Sequence, residues 1–304
     1  MRWAKTASYF LQMLAVRILR AALSVLGPRT RGAMVERLGR FVVMAVPGLR
    51  RRILDNLALI YPAMPPPQRQ RLAARAAGRS VRNMYEILEN HRLVAIRDQI
   101  ELVETPGLAA LLKAHDEGRG VFLISGHFGR FDAGRAALMR RGVEVGAVYR
   151  PQNNPFYNAE LIRQFAKVGG PMLPRGRAGT RQLIRHMKGG GVMAVLIDQR
   201  AGLGESLDFM GQPAMTSTDI AELALRLNLL VVPGYAVRID DGLNYRVEIE
   251  PPVPHTDPVT MTQALNDSLA ARVHADPSEW YWLHRRWAPP KRTRADTGAN
   301  ASRA

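Results

Sequence analysis

"LISGHFGRFDAGR" (residues 123–135) is the stretch on which the fold turns. An apolar run ends in Ser125-Gly126, His127 follows at once, and Asp132 stands five positions further on. Extended backwards to "GVFLISG" (120–126), the run has the length of a strand covered on both faces and is closed by a turn signal. Residues 129–141 then read as a helix. A strand, a tight turn and a helix in that order are the building unit of an α/β sheet.

The alternation continues downstream. "VEVGAVYR" (143–150) and "GVMAVLID" (191–198) read as strands, and 155–168 and 178–188 as helices. Residues 217–227 and 258–275 are helical in pattern. Between them "LLVVPGYAVRI" (229–239) and "LNYRVEIEPP" (243–252) form two strands around an Asp240-Asp241-Gly242 turn. From Gly27-Pro28 to about residue 100 the pattern is helical; Tyr61-Pro62 ends one helix and Pro65 to Pro67 open another. The expected fold is α/β, a mixed sheet flanked by helices, with one domain over 28–290. The tail 291–304, polar and small, reads as disordered.

The N-terminal segment 1–27 stands apart. "WAKTASYFLQMLAVRILRAALSVL" (3–26) is densely apolar, but Gln12, Arg17 and Arg20 interrupt it before the roughly 18 uncharged residues of a spanning helix accumulate. Two arginines also argue against the apolar core of a cleaved signal peptide. Helical spacing gathers Phe10, Leu14, Ile18 and Leu26 near one face and Arg17 with Arg20 on another. That is the pattern of a basic amphipathic helix in a bilayer interface, with Trp3 and Tyr9 at headgroup level. A helix packed on the protein's own core and a tilted span with snorkelling arginines fit the same residues.

The 304 residues carry 43 Lys+Arg against 26 Asp+Glu, a formal net charge of +17. Nearly all the basic residues are Arg. Such a balance fits an anionic partner: nucleic acid, anionic lipid or an acidic carrier protein. There is no cysteine, which excludes a disulfide framework and a thiolate metal site.

Ligands of α/β sheets bind at the carboxyl ends of the strands, and His127 falls there. Gly126 and Gly129 allow a tight turn and a close approach of substrate. Asp132, in the first turn of the next helix, is placed to fold back on His127. A carboxylate on one imidazole nitrogen fixes the tautomer and raises the basicity of the other, which can then take a proton from an alcohol. No cysteine and no serine in a nucleophile elbow is present, so direct transfer to a hydroxyl fits better than a covalent acyl-enzyme. A helix-dipole role for Asp132 and a structural role for His127 account for the same spacing.

Several blocks in fixed order carry a family resemblance over roughly residues 5 to 288. They are "RRILDNLALIYPAMPPPQRQRL", "SGHFGRFDAG", "VYRPQNNPFYN", "LIDQ" with "DFMGQPAMTSTDIAELALRLNLLVVPGY", and "DPSEWYWLHRRW". Together the chain resembles the late acyltransferases of lipid A biosynthesis, the lauroyl and myristoyl transferases of Gram-negative bacteria. The resemblance implies an enzyme on the cytoplasmic face of the inner membrane. It implies transfer of a fatty acyl chain from acyl-carrier protein to a lipid hydroxyl, without metal, nucleotide or other cofactor. It gives His127 and Asp132 the catalytic roles and Arg150 a phosphate or oxyanion contact. Arg163 and Arg175 join that basic surface, unless they are solvated arginines of helix and loop. Asp198 and Gln199, at a strand end, organise the site or bind acceptor groups, or simply close the strand. Phe209, Met210 and Met215 line an acyl channel or belong to the core. Trp280, Trp282 and Trp287, with Arg285 and Arg286, sit at the membrane interface or pin the last helix by packing.

Where the lipid A enzymes mostly carry Glu, this chain has Asp132, the residue usual in related glycerolipid acyltransferases. A lysophospholipid, an ornithine-type lipid or a glycolipid therefore stands beside a lipid A precursor as acceptor. A basic protein binding membrane or nucleic acid is the non-enzymatic reading. Against nucleic acid stand the lack of a binding motif and the apolar N-terminus.

Overall fold

The computed structural model describes residues 2–239 and 244–288. It opens with helices: α1 (Arg2–Ser24), α2 (Pro28–Ala45), α3 (Pro47–Ile60), α4 (Pro66–Ile87) and the short α5 (Asn90–Ala95). The sheet-forming part follows with β1 (Glu101–Leu102), α6 (Pro106–Asp116), β2 (Val121–Ser125), α7 (Ala133–Met139), β3 (Val145–Tyr149), α8 (Pro155–Phe165) and β4 (Met172–Pro174). It continues through α9 (Arg177–Lys188), β5 (Val192–Leu196), β6 (Glu205–Phe209), β7 (Gln212–Thr216), α10 (Asp219–Leu227), β8 (Leu230–Arg238), β9 (Tyr245–Ile249) and α11 (Pro258–Ala275). Proline recurs at helix starts, as at Pro28, Pro47, Pro66, Pro106, Pro155 and Pro258. Its fixed φ suits the first turn, where its missing N–H costs nothing.

Seven strands form one sheet in the order β1-β9-β8-β2-β5-β3-β4. All neighbours are parallel except β8 with β9, so the sheet is mixed, as expected from the alternation. β2 lies at its centre and is buried at every position. Its side chains alternate between faces: Phe122 and Ile124 pack with α9, α10 and α11 residues such as Leu183, Ala224 and Leu265, while Val121 and Leu123 pack with Leu108, Leu111 and Leu138 from α6 and α7. Each face is thus sealed by helices, which is why the strand reads as a continuous apolar run.

Three features depart from the sequence reading. The helix expected over 129–141 is shorter, because 129–132 forms the turn that carries the site. Strand β4 and the hairpin β6–β7 were not anticipated. The Asp240-Asp241-Gly242 turn and the tail 291–304 lie outside the described residues.

The N-terminal helix α1 is anchored rather than free. Arg20, expected beside Arg17 on a basic outer face, turns inward: Nε donates to Glu89 at 3.0 Å and Nη1 to Glu160 at 2.9 Å. Two buried carboxylates outcompete water for this guanidinium. Asn154 Nδ2 donates to Tyr9 O, and the rings of Phe10 and Phe156 meet edge to face. The outer side of α1 exposes Trp3, Leu11, Leu14 and Ile18, and that of α2 exposes Met34, Leu38, Phe41 and Val42. Among the described residues no helix is long and apolar enough to cross a membrane.

Candidate active site

Strands β2 and β5 are parallel neighbours with Ser125 opposite Leu196. His127 and Asp198 each lie two residues beyond that last pair, so the sheet delivers them side by side. Adjacent strands are about 4.8 Å apart, within reach of one side-chain hydrogen bond. His127 Nδ1 lies 2.8 Å from Asp198 Oδ1, and the His127 backbone N–H donates to Oδ2 at 2.8 Å. With Nδ1 protonated and donating, Nε2 is left as the free base. Two glycines permit this approach. A Cβ on Gly126 would meet Leu269 at 2.7 Å, and one on Gly129 (φ +55) would meet Ala236 O at 2.1 Å.

Asp198 is fully buried behind the histidine. Burial works to raise its pKa, but the charge of His127 and its hydrogen bonds outweigh that, so the carboxyl sits well below the ordinary range. A third donor, the Trp280 indole Nε1–H, reaches Oδ2 at 2.9 Å. His127, Asp198 and His284 bring their possible ligand atoms within 4.8 Å of one another. Both Asp198 oxygens accept N–H donors, the arrangement of a hydrogen-bonded relay.

The expected bond from Asp132 to His127 is not what forms. Asp132 is buried and its Oδ1 accepts from Arg130 Nη1 at 2.7 Å, while Oδ2 has no hydrogen-bond partner. Arg130, equally buried, also donates to Glu86 O and Asn90 Oδ1, each at 2.7 Å. A buried guanidinium needs a counter-charge, and the acid two residues away supplies it. Asp132 nevertheless lines the same cavity as His127.

That cavity encloses about 410 Å³ and runs from His127 between Met84 and Ile87 of α4 and Tyr157, Leu161 and Phe165 of α8. Its rim carries Arg150 after β3, Arg175 after β4 and Arg200 after β5. None of these guanidinium groups has a carboxylate partner among the described residues, and Arg200 Nε is buried without any acceptor. Gln199 stands beside them, exposed. Arg200 escaped the sequence reading, although its place directly after a strand-ending Asp-Gln was the available signal. Arg163 does not belong to this rim: it faces outward and donates to Glu160.

Two further expectations resolve as packing. Phe209 and Met210 are buried in a core shared with Val43, Ile53 and Trp280, and neither they nor Met215 line the cavity. Trp280 and Trp282 are buried in that same core, so the interface reading is replaced by packing. Arg286 is buried too, donating to Met215 O and Thr216 Oγ1 over the ring of Phe209.

Comparison with known proteins assigns the chain to a family. The profile of the family described as bacterial lipid A biosynthesis acyltransferase matches residues 3–288. The chain is 23% identical to the lipid A biosynthesis myristoyltransferase of Escherichia coli (strain K12), over 86% of this chain and 82% of that protein. It is 22% identical to lipid A biosynthesis acyltransferase 2 of Shigella flexneri, over 91% of this chain and 89% of that one. It is also 25% identical to the phosphatidylinositol mannoside acyltransferase of Mycobacterium tuberculosis (strain CDC 1551 / Oshkosh), over 78% of this chain and 76% of the relative.

Proposed function

The chain belongs to the bacterial lipid A biosynthesis acyltransferase family, and from that premise we propose that it moves a fatty acyl chain from an acyl-carrier-protein thioester to a hydroxyl of a lipid A precursor. One observation carries this reading: a His127–Asp198 pair at the wall of a largely apolar cavity whose rim holds three arginines with no acid partner among the described residues.

The acceptor hydroxyl gives its proton to His127 Nε2 while its oxygen attacks the thioester carbonyl carbon. The imidazolium that forms is stabilised by Asp198. The tetrahedral intermediate collapses, the C–S bond breaks, and the proton on Nε2 passes to the leaving sulfur. The products are an ester and the free carrier thiol. No oxidant, metal or nucleotide enters that balance. The cavity takes the acyl chain. Arg150, Arg175 and Arg200 bind phosphate, from the lipid or from the carrier's prosthetic arm, by charge-assisted and bidentate hydrogen bonds. An acidic carrier meeting a chain of net charge +17 is steered to it.

The exposed apolar faces of α1 and α2 support membrane residence, with both helices in the bilayer interface, and a carrier-protein donor puts that residence on the cytoplasmic face of the inner membrane. Flotation with anionic vesicles tests this: the wild type floats, and Phe41→Glu with Leu38→Glu stays at the bottom if the face is right.

A glycolipid acceptor is the second reading, favoured by the likeness to the phosphatidylinositol mannoside enzyme. The deciding experiment compares lipid mass spectra of cells with the intact gene, without it, and with His127→Ala. Loss of one acyl chain from lipid A in both altered strains supports the first reading. A shift confined to a glycolipid or phospholipid class selects another acceptor. Full activity of His127→Ala in a purified assay sinks the mechanism.

A further inference from the structure

The closing stretch "EWYWLHRRW" (279–287) has no part in the chemistry above, yet it encloses the carboxylate on which that chemistry depends. Its backbone runs antiparallel to the His127 loop. Phe128 and Trp280 form an isolated bridge, Tyr281 N–H donates to His127 O, and Gly129 N–H donates to Glu279 O, both at 3.0 Å. The stretch is itself tied down. Asn56 Nδ2 donates to Trp282 O at 2.8 Å and to His284 O at 2.9 Å, and Arg79 Nη1 donates to Ser278 Oγ at 2.8 Å.

Two side chains reach the relay. The Trp280 indole supplies the only side-chain donor to Asp198 Oδ2 among the described residues, at 2.9 Å. His284 stacks edge-on against His127 with ring centroids 4.7 Å apart, and its Nε2 stands 3.7 Å from Asp198 Oδ2 without a hydrogen bond. We propose that Trp280 and His284 are positioning residues for acyl transfer, the first fixing the plane of the Asp198 carboxylate and the second walling the His127 ring.

The physical reason is rotational. Oδ1 serves His127 Nδ1, so the plane of the carboxylate decides whether that N–H stays bonded and Nε2 stays free. With the indole donor gone, Oδ2 keeps only the His127 amide, and the carboxylate can turn about its bond to Cβ. His284 does its part uncharged: burial pushes its imidazole down to about 4. At neutral pH it therefore puts no second cation against Asp198, whose charge remains available to His127.

This inference rests on the His127 reading above, and the test separates the two. Trp280→Phe removes one N–H and keeps a ring. Trp282→Phe is the control: an equally buried indole whose N–H goes to Pro277 O at 2.6 Å, away from the relay. Trp280→Phe is expected to lower kcat roughly 10- to 100-fold, the scale of a displaced catalytic group, with KM nearly unchanged. Nitrogen NMR of the imidazoles, recorded without substrate, should show His127 no longer confined to the Nδ1–H tautomer. His284→Ala gives the same signature in weaker form. Trp282→Phe loses comparable thermal stability but keeps kcat and the tautomer.

Wild-type kcat and a single tautomer in Trp280→Phe overturn the inference, and so does an equal kcat loss in Trp282→Phe. An active His127→Ala enzyme overturns the role proposed for His127 instead, and the tautomer measurement still judges Trp280.

Discussion

Two buried aspartates flank the candidate base, and they are held in opposite ways. Asp198 accepts three N–H donors, two from His127 and one from Trp280, and touches no permanent cation. Asp132 is paired with Arg130 at 2.7 Å, inside a cluster where Arg238, Arg130 and Arg82 hold the Glu86 carboxyl below its usual range against the opposing effect of its burial. The first arrangement leaves a negative charge to meet an imidazolium at His127, as the proposed mechanism requires. The second has already neutralised its charge, and it ties the start of α7 to α4 and α5 through Glu86 and Asn90. Burial and chain proximity alone do not identify the acid of a relay; what else the acid is bonded to decides it.

The widest separation should come from Asp198→Asn against Asp132→Asn. Asp198→Asn keeps the shape, offers the wrong hydrogen-bond pattern to Nδ1, and should cost roughly 10³- to 10⁴-fold in kcat with little change in melting temperature. Asp132→Asn leaves a buried guanidinium short of its counter-charge and should cost about 3 kcal/mol of stability, with a smaller loss of kcat. Calorimetry and single-turnover rates on the two proteins check the ranking. A reversed order would return the catalytic role to Asp132.

A smaller effect belongs to the rim. Arg200→Gln removes a charged hydrogen-bond donor whose Nε is buried without an acceptor, and the KM for the phosphate-bearing substrate should rise about tenfold or more. Initial-rate kinetics with acceptor and donor varied separately show which substrate the guanidinium serves. No change in either KM would remove Arg200 from the site.

The smallest effect is on stability. The His284 imidazole titrates at about 4 in the folded chain against 6.5 when free. Between those values the unfolded chain binds more protons, so stability is complete above pH 6.5 and falls as pH drops towards 4. His91, also lowered by burial, acts in the same sense. Melting temperature measured across that window should slope upward with pH, and His284→Gln should flatten it. An unchanged slope in that variant would mean that His284 is not held neutral by its surroundings.

The hairpin β6–β7 shows why part of the fold was not legible. Its strands alternate in burial, but its two-residue turn is Met210-Gly211, with φ of 59° and 77°. Asn-Gly or Asp-Gly would have signalled such a turn; a methionine with positive φ carries no signal in the sequence. Met210 is kept there by burial of its side chain in the core, a tertiary cause. The inward turn of Arg20 has the same origin: Glu89 and Glu160 lie 69 and 140 residues away along the chain.

The sequence by itself determined the local architecture. A continuous apolar run closed by Ser-Gly makes a central buried strand, and a turn with Gly126 and Gly129 brings His127 out at its carboxyl end. Arg150, directly after β3, follows from the same local rule. Only the tertiary structure decided which acid the histidine meets. Asp132 is five residues away but is claimed by Arg130. Asp198 is 71 residues away, and the parallel register of β2 with β5 sets it opposite His127. Strand order is a long-range outcome of packing, so the acid bonded to His127 could be read only once the neighbour of β2 was known.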